Sequence, residues 1–180
     1  VKRRDPRQVT FLSPDSATLL HLIRENLRLL AELATSCEVA LLDATRDGRL
    51  IRSPVDIAAY LGPELAALAQ EQLRVVCLDT KNRVLATPLV YQGGLNATVI
   101  RLADCFRDAV RLGAAAIVLV HNHPSGDPTP SPEDIRLTAE VGRAGNLLGI
   151  DVLDHIIIGA SGHRSLREQG HYAPQCRSEP

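Results

Sequence analysis

Aromatic side chains are scarce in this 180-residue sequence, which has no tryptophan, three tyrosines and two phenylalanines. Hydrophobic residues make up 45% of it and are mostly Leu, Ala, Val and Ile, so the core has to be aliphatic. An excess of charge is missing too: 20 basic against 21 acidic residues leave a net charge of -1. No overall field would draw in a nucleic-acid backbone or an anionic membrane. The local basic cluster of Lys2, Arg3, Arg4 and Arg7 shares the terminus with Asp5 and Pro6 and reads as a solvated tail. Cys37, Cys77, Cys105 and Cys176 stand singly, with no Cys-x-x-Cys pair, which argues against a disulfide framework or a zinc knuckle and fits a reducing compartment. No apolar run approaches bilayer length, and the first thirty residues lack the order of a secretion signal. The expectation is a soluble, cytoplasmic protein. Methionine is absent and the chain begins at Val1, which leaves both a fragment and an alternatively started product open.

The length suits one main core with an added N-terminal element. Leu19, Leu20, Ile23, Leu27, Leu30 and Ala34 recur at helical spacing and predict a helix over 15–35, capped by Asp15 or Ser16. A second short element is expected between 37 and 52, broken at Arg46-Asp47-Gly48, with a boundary near 50. Ser53-Pro54 opens a helix to about Leu61. Leu73 to Leu78 and Arg83 to Tyr91 read as strands of a hairpin, joined by the turn chemistry of Asp79 to Asn82. A helix over 102–112 closes at Gly113, and the apolar run Ala114 to Val120 reads as a buried strand. The proline-rich stretch 122–130 has to be a loop. Ser131 to Leu148 reads as a helix ended by Gly149, Val152 to Ile158 as a last buried strand, and the polar tail from Ser161 as a short return segment. Alternating strands and helices place the chain in the α/β or α+β class with one layered sheet.

The chemistry concentrates after Val120. His121-Asn122-His123 stands at the end of a buried strand, where residues i and i+2 share a side, so both imidazoles can face one atom. Ser131 and Asp134 follow at the start of the next helix. Taken alone, Ser-x-x-Asp is a capping box and a histidine at a strand end is an ordinary polar residue. A carboxylate fixed by a helix start is nonetheless well oriented as a ligand. Two imidazoles and one carboxylate, His121, His123 and Asp134, suit Zn2+, whose catalytic sites keep three protein ligands and leave a corner for water. Water there has its pKa lowered to about 7. The His-x-Glu with Pro-Cys-x-x-Cys of nucleobase deaminases and the His-Glu-x-x-His of helical zinc proteases do not occur. Cys77 and Cys105 read as buried small residues, His163 and His171 as exposed.

The run His121-Asn122-His123-Pro124, continuing to Ser131 and Asp134, resembles the His-x-His-x7-Ser-x2-Asp signature of JAMM metalloproteases. The wider strings Asp79-Thr80-Lys81-Asn82-Arg83, His121 to Ser131 and Leu153-Asp154-His155-Ile156-Ile157 are similar to the bacterial RadC family over about 53–172. The resemblance implies an MPN/JAMM-like domain over 53–175, with a central mixed β-sheet flanked by helices, behind an N-terminal helical extension over 1–50. It implies a zinc metallopeptidase or isopeptidase acting on a peptide or protein. Glu71 is the implied general base, and Ser131 the implied donor to the developing oxyanion. The alternative is a non-catalytic MPN scaffold or a DNA-repair accessory protein, although residues 1–50 lack the Gly-x-Gly turn of the family's helix-hairpin-helix region. Asp154 and His155 are expected to be structural or to support a ligand, with Asp154 near His121 or His123 as the natural arrangement. Loops 92–100 and 124–131 flank the site and would set specificity.

Overall fold

The computed structural model describes residues 16–44, 48–93 and 100–173. The chain divides into two compact units, Val1–Leu41 and Leu42–Pro180. Helix α1 spans Ser16–Ala44. It runs past the expected end at 35, and the element expected to begin near 37 is its last turns. No glycine or proline interrupts 16–44, and Gly48, with φ of 62°, is the first breaker. Leu19, Leu20, Ile23, Leu27 and Leu30 are all exposed on it. The expected cap at Asp15 and the Arg46-Asp47 turn lie outside the described residues. The far part of the expected second element, around Leu50 and Ile51, makes one bridge, Leu50 to Arg83.

The second unit is built from α2 (Pro54–Leu65), β1 (Gln72–Leu78), β2 (Val84–Ala86), β3 (Leu89–Gln92), α3 (Leu102–Leu112), β4 (Ala116–Asn122), α4 (Pro132–Leu148), β5 (Asp151–Gly159) and β6 (Gly162–Ser165). Helix α2 starts at Ser53-Pro54 as expected, with the Asp56 carboxylate accepting from the Arg52 and Ser53 amides, and goes one turn beyond Leu61. The expected strand 83–91 is split into β2 and β3. Pro88 has no N–H to donate, and the chain there offers only its carbonyl, to the Val75 amide at 3.1 Å. Helices α3 and α4 end at Gly113 and Gly149, both left-handed.

Among the described residues the strands form one mixed sheet in the order β2-β1-β4-β5-β6, with β3 also pairing β1. Only β4 and β5 run parallel. Alternation sorts the side chains into two cores. Leu73, Val75, Cys77, Ile117 and Leu119 pack with Phe106 and Ala109 of α3 and Leu137 and Val141 of α4. Val76, Leu78, Val118, Val120 and Ile156 pack with Ile57, Leu61 and Leu65 of α2. Strand β4 is buried throughout, which is why its sequence is continuously apolar from Ala116 to Val120 rather than alternating, before it ends in His121 and Asn122.

One irregularity in this sheet matters for the site. Ile117 pairs with Val152 but Val118 pairs with Asp154, so Leu153 is an extra residue in β5. It inverts the alternation of everything after it. His155, opposite Leu119, then falls on the α4 side of the sheet, the side of His121, and Asp154 falls on the other.

Among the described residues no helix is long and apolar enough to cross a membrane. Cys77 and Cys105 are buried free thiols, and burial pushes both up to about 12. Peptide mapping after brief alkylation of the native protein at about pH 8 should find both unmodified, with rapid labelling once denaturant is added. Rapid labelling of either thiol in the native state would contradict this packing.

Candidate metal centre

Four polar side chains converge where β4 ends. His121 is the penultimate residue of β4. His123 lies just beyond it, its amide still donating to the Ile158 carbonyl at 2.8 Å, so the ladder with β5 holds both histidines in register. Their Nε2 atoms are 2.9 Å apart. The loop after His123 turns back over the sheet and delivers Asp134 in the first turn of α4, with Oδ1 at 3.3 Å from His121 Nε2 and Oδ2 at 3.6 Å from His123 Nε2. Glu71 immediately precedes β1. Because Leu73 pairs with His121 in the antiparallel β1–β4 ladder, Glu71 comes up beside the histidine pair. Its Oε1 is 3.7 Å from His121 Nε2 and 3.9 Å from His123 Nε2.

The loop can make its return because two backbones touch. A Cβ on Gly159 would lie 2.4 Å from the Gly126 carbonyl oxygen, so any side chain at the end of β5 would push the loop away. Gly126 itself has φ of 86°.

Asp134 carries the clearest electrostatic signal. Its side chain is 1% exposed. Oδ2 accepts from the Ser131 amide and hydroxyl, both at 2.7 Å, and the Ser131 hydroxyl oxygen accepts from the Asp134 amide at 3.1 Å. This is the capping box read from the sequence, and it ties down one carboxylate oxygen. Oδ1 has no hydrogen-bond partner although it is buried. Buried polar atoms are seldom left so, and a buried carboxylate with one unpartnered oxygen beside a pair of imidazole nitrogens is the environment a cation would complete. Burial would push Asp134 up, but the contact with His123, the proximity of His121 and the Ser131 bonds together hold it well below the usual range.

Each imidazole is oriented from behind. His123 Nδ1 lies 2.8 Å from the Asp127 carbonyl and can only donate to it, which turns Nε2 into the site. Asp134 draws the His123 pKa up, against the effect of burial. His121 is pushed far down, by burial first and by the neighbouring His155 next. His121 Nδ1 contacts His155 Nε2 at 2.8 Å, and His155 Nδ1 contacts Thr138 Oγ1 at 2.6 Å. The expected neighbour, Asp154, is not there. Its carboxylate accepts from the His155 amide, the Ser165 hydroxyl and the Arg167 amide, and so fastens β5 to β6 on the far side of the sheet. His171 is exposed as expected, whereas His163 is half-buried.

The residue between the histidines has its own role, which sequence reasoning missed. Asn122 Oδ1 accepts from the Gln72 amide at 2.8 Å, and its Nδ2 donates to the Gln70 carbonyl at 3.1 Å. These bonds bracket Glu71 on both sides. A polar residue inside an otherwise apolar buried strand was the available signal.

Two carboxylates thus compete for the place beside the imidazoles. Donor atoms of Glu71, His121 and His123 all lie within 4.8 Å of one another and can hold a metal ion. Asp134 is closer and more deeply buried than Glu71, whose side chain is 16% exposed. Ligand atoms about 2.0–2.1 Å from a tetrahedral zinc are roughly 3.3 Å apart. The 2.9 Å between the two Nε2 atoms and the 3.3 Å from His121 Nε2 to Asp134 Oδ1 lie close to that value, and the 3.6 Å to His123 Nε2 is made by the other oxygen, Oδ2. Glu71 instead lines an open cleft of about 410 Å³ together with His123, Pro124, Ser125, Ser131 and Glu133.

The family model of the RadC-like JAB domain matches residues 51–171. A UPF0758 protein of Roseiflexus castenholzii is 52% identical over 143 residues, 78% of this chain and 61% of its own length. One from Chloroflexus aggregans is 56% identical over 120 residues, 67% of this chain and 52% of its own. One from Listeria welshimeri is 47% identical over 123 residues, 68% of this chain and 55% of its own. The chain therefore spans between about half and three fifths of the length of these relatives.

Two predictions follow from the packing around the site. Asn122→Leu leaves the Gln72 amide and Gln70 carbonyl unpaired and should cost about 1–3 kcal/mol in urea unfolding, and a change inside the measurement error would show that the bracket contributes nothing. His155 is pushed from 6.5 to about 4, by burial first, and is neutral in the fold. The unfolded chain binds that proton more readily, so the stability tied to His155 is complete above pH 6.5 and is lost as pH falls towards about 4. Thermal melts of the metal-free protein should show this decline, and a flat melting temperature across the window would contradict it.

Proposed function

Because the chain belongs to the RadC-like JAB domain family, we propose that it is a zinc-dependent metallohydrolase, a metallopeptidase or isopeptidase cleaving an amide bond in a peptide or protein. The observation that carries this reading is the buried Asp134 carboxylate set against two imidazole nitrogens, its unpartnered Oδ1 nearest His121 Nε2 and its Oδ2 nearest His123 Nε2. In it His121 and His123 hold the metal through Nε2, and Asp134 holds it through Oδ1. A zinc ion so held supplies Lewis acidity, lowering the pKa of water to about 7 and polarising a substrate carbonyl.

The remaining steps belong to the protein's own groups. Glu71, at the mouth of the cleft and held by the Asn122 bracket, takes the proton of the attacking water and returns it to the leaving amine. Ser131 holds Asp134 through its amide as well as its hydroxyl, so the hydroxyl is free to turn towards the oxyanion while the amide keeps the carboxylate in place. The open cleft lined by Glu71, His123 and Ser131 supports a reading in which a substrate carbonyl reaches the site from solvent. A peptide fits a surface of balanced charge better than nucleic acid does, and the reduced Cys77 and Cys105 fit the cytoplasm.

Metal analysis tests the ligand set directly. The purified protein should carry one equivalent of zinc, and His123→Ala and Asp134→Asn should each lose it. Glu71→Gln should keep the metal while turnover of a peptide or isopeptide substrate falls by about 10²–10⁴. Zinc lost in Glu71→Gln but kept in Asp134→Asn would exchange the roles of the two carboxylates. Unchanged turnover in Glu71→Gln would overturn the general-base assignment.

A further inference from the structure

We infer that Thr138 and His155 are positioning residues that set the tautomer of His121, so that its metal-facing nitrogen is bare before any metal arrives. This rests on the reading of His121 as a ligand, but the arrangement follows from counting protons along a buried line of contacts.

The line starts at a group that has no proton to give. The Asp134 main-chain carbonyl lies 2.6 Å from Thr138 Oγ1, one helical turn further along α4, so the Thr138 hydroxyl must donate to it. The hydroxyl has only that proton. Towards His155 Nδ1, also at 2.6 Å, Thr138 Oγ1 can therefore only accept, and Nδ1 must carry hydrogen. Both rings are completely buried, which disfavours their charged forms, and a neutral imidazole carries one N–H. His155 Nε2 is then bare and accepts from His121 Nδ1–H across 2.8 Å. His121 is left with an unprotonated Nε2, the atom that faces Asp134 Oδ1 at 3.3 Å.

An isolated imidazole prefers its proton on Nε2, the tautomer that would block the ligand atom, so the relay works against the ring's own preference. Ligating histidines usually gain this orientation from a carboxylate or carbonyl. Here the final acceptor is also a carbonyl, but it acts through a hydroxyl and a second ring, and it belongs to the residue whose side chain stands beside His121. One turn of α4 thereby provides both the carboxylate and the instruction for the imidazole. The extra residue Leu153 makes this contact available, because without it His155 would face the other side of the sheet.

The test reads ring nitrogens in the metal-free protein, with no need for substrate. Long-range 15N–1H correlation spectra of the whole chain in chelator should show His121 and His155 both protonated on Nδ1. Thr138→Val keeps the shape and removes the acceptor, and should mix or reverse the tautomers and weaken zinc affinity, measured by chelator competition, by about 10- to 100-fold. Thr138→Ser should restore both. A proton on His121 Nε2 in the unsubstituted protein would overturn the inference without any variant. So would unchanged tautomers and affinity in a folded Thr138→Val. If the tautomers are as stated but the protein takes up no zinc, the metal reading of the site fails and the relay stands, so the two failures can be told apart.

Discussion

A carboxylate buried against two imidazoles, with one oxygen unpartnered, is the constraint around which this domain is arranged. An ionised group so placed is tolerated only where its surroundings are fixed and complementary. The fixing is thorough. The helix start holds one oxygen of Asp134, the β4–β5 ladder holds the backbone of both histidines, and a separate partner behind each ring determines which nitrogen faces inward.

The sheet converts these local arrangements into a site. Only because β4 is central, with β1 antiparallel on one side and β5 parallel on the other, do residues 71, 121 and 123 arrive at one end of it, with His155, opposite Leu119, just behind them. Asn122 shows how economical this is. Its neighbours point at the candidate metal centre while its own amide pins the backbone on either side of Glu71. The two carboxylates differ in burial, in distance from the imidazoles and in how they are held. Asp134 is walled in beneath the helix start and is suited to hold a cation, whereas Glu71 stands at the cleft and can exchange protons with water. The contact between Gly159 and Gly126 is a further requirement, since the loop between His123 and Asp134 reaches back only where one backbone can lie on another.

Much of this was legible in the residues. The apolar run of β4, the caps at Ser53 and Ser131 and the glycine stops after α3 and α4 are local devices, and each element came out where its local chemistry pointed. Expectation and structure part where an apolar pattern was followed past a local break or stopped without one, and where cross-strand register decides. Helix α1 continues to Ala44 because nothing breaks it, although its apolar spacing becomes less regular after 35. The strand expected over 83–91 divides at Pro88, which the alternation of its neighbours conceals. Asp154 was expected beside the histidines, but simple alternation along β5 does not survive the extra residue at 153.

The sequence by itself determined which groups were available: two histidines at the end of a buried strand, a Ser-x-x-Asp helix start, and strong local signals for most helices and strands. These depend on spacing over a few residues, which the chain imposes directly through backbone geometry. Only the tertiary structure decided which carboxylate is buried, that Asn122 braces Glu71, and that His155 rather than Asp154 stands behind His121. Those outcomes depend on strand register across as many as fifty residues and on a single inserted position, and register is set by how whole strands bury their faces together.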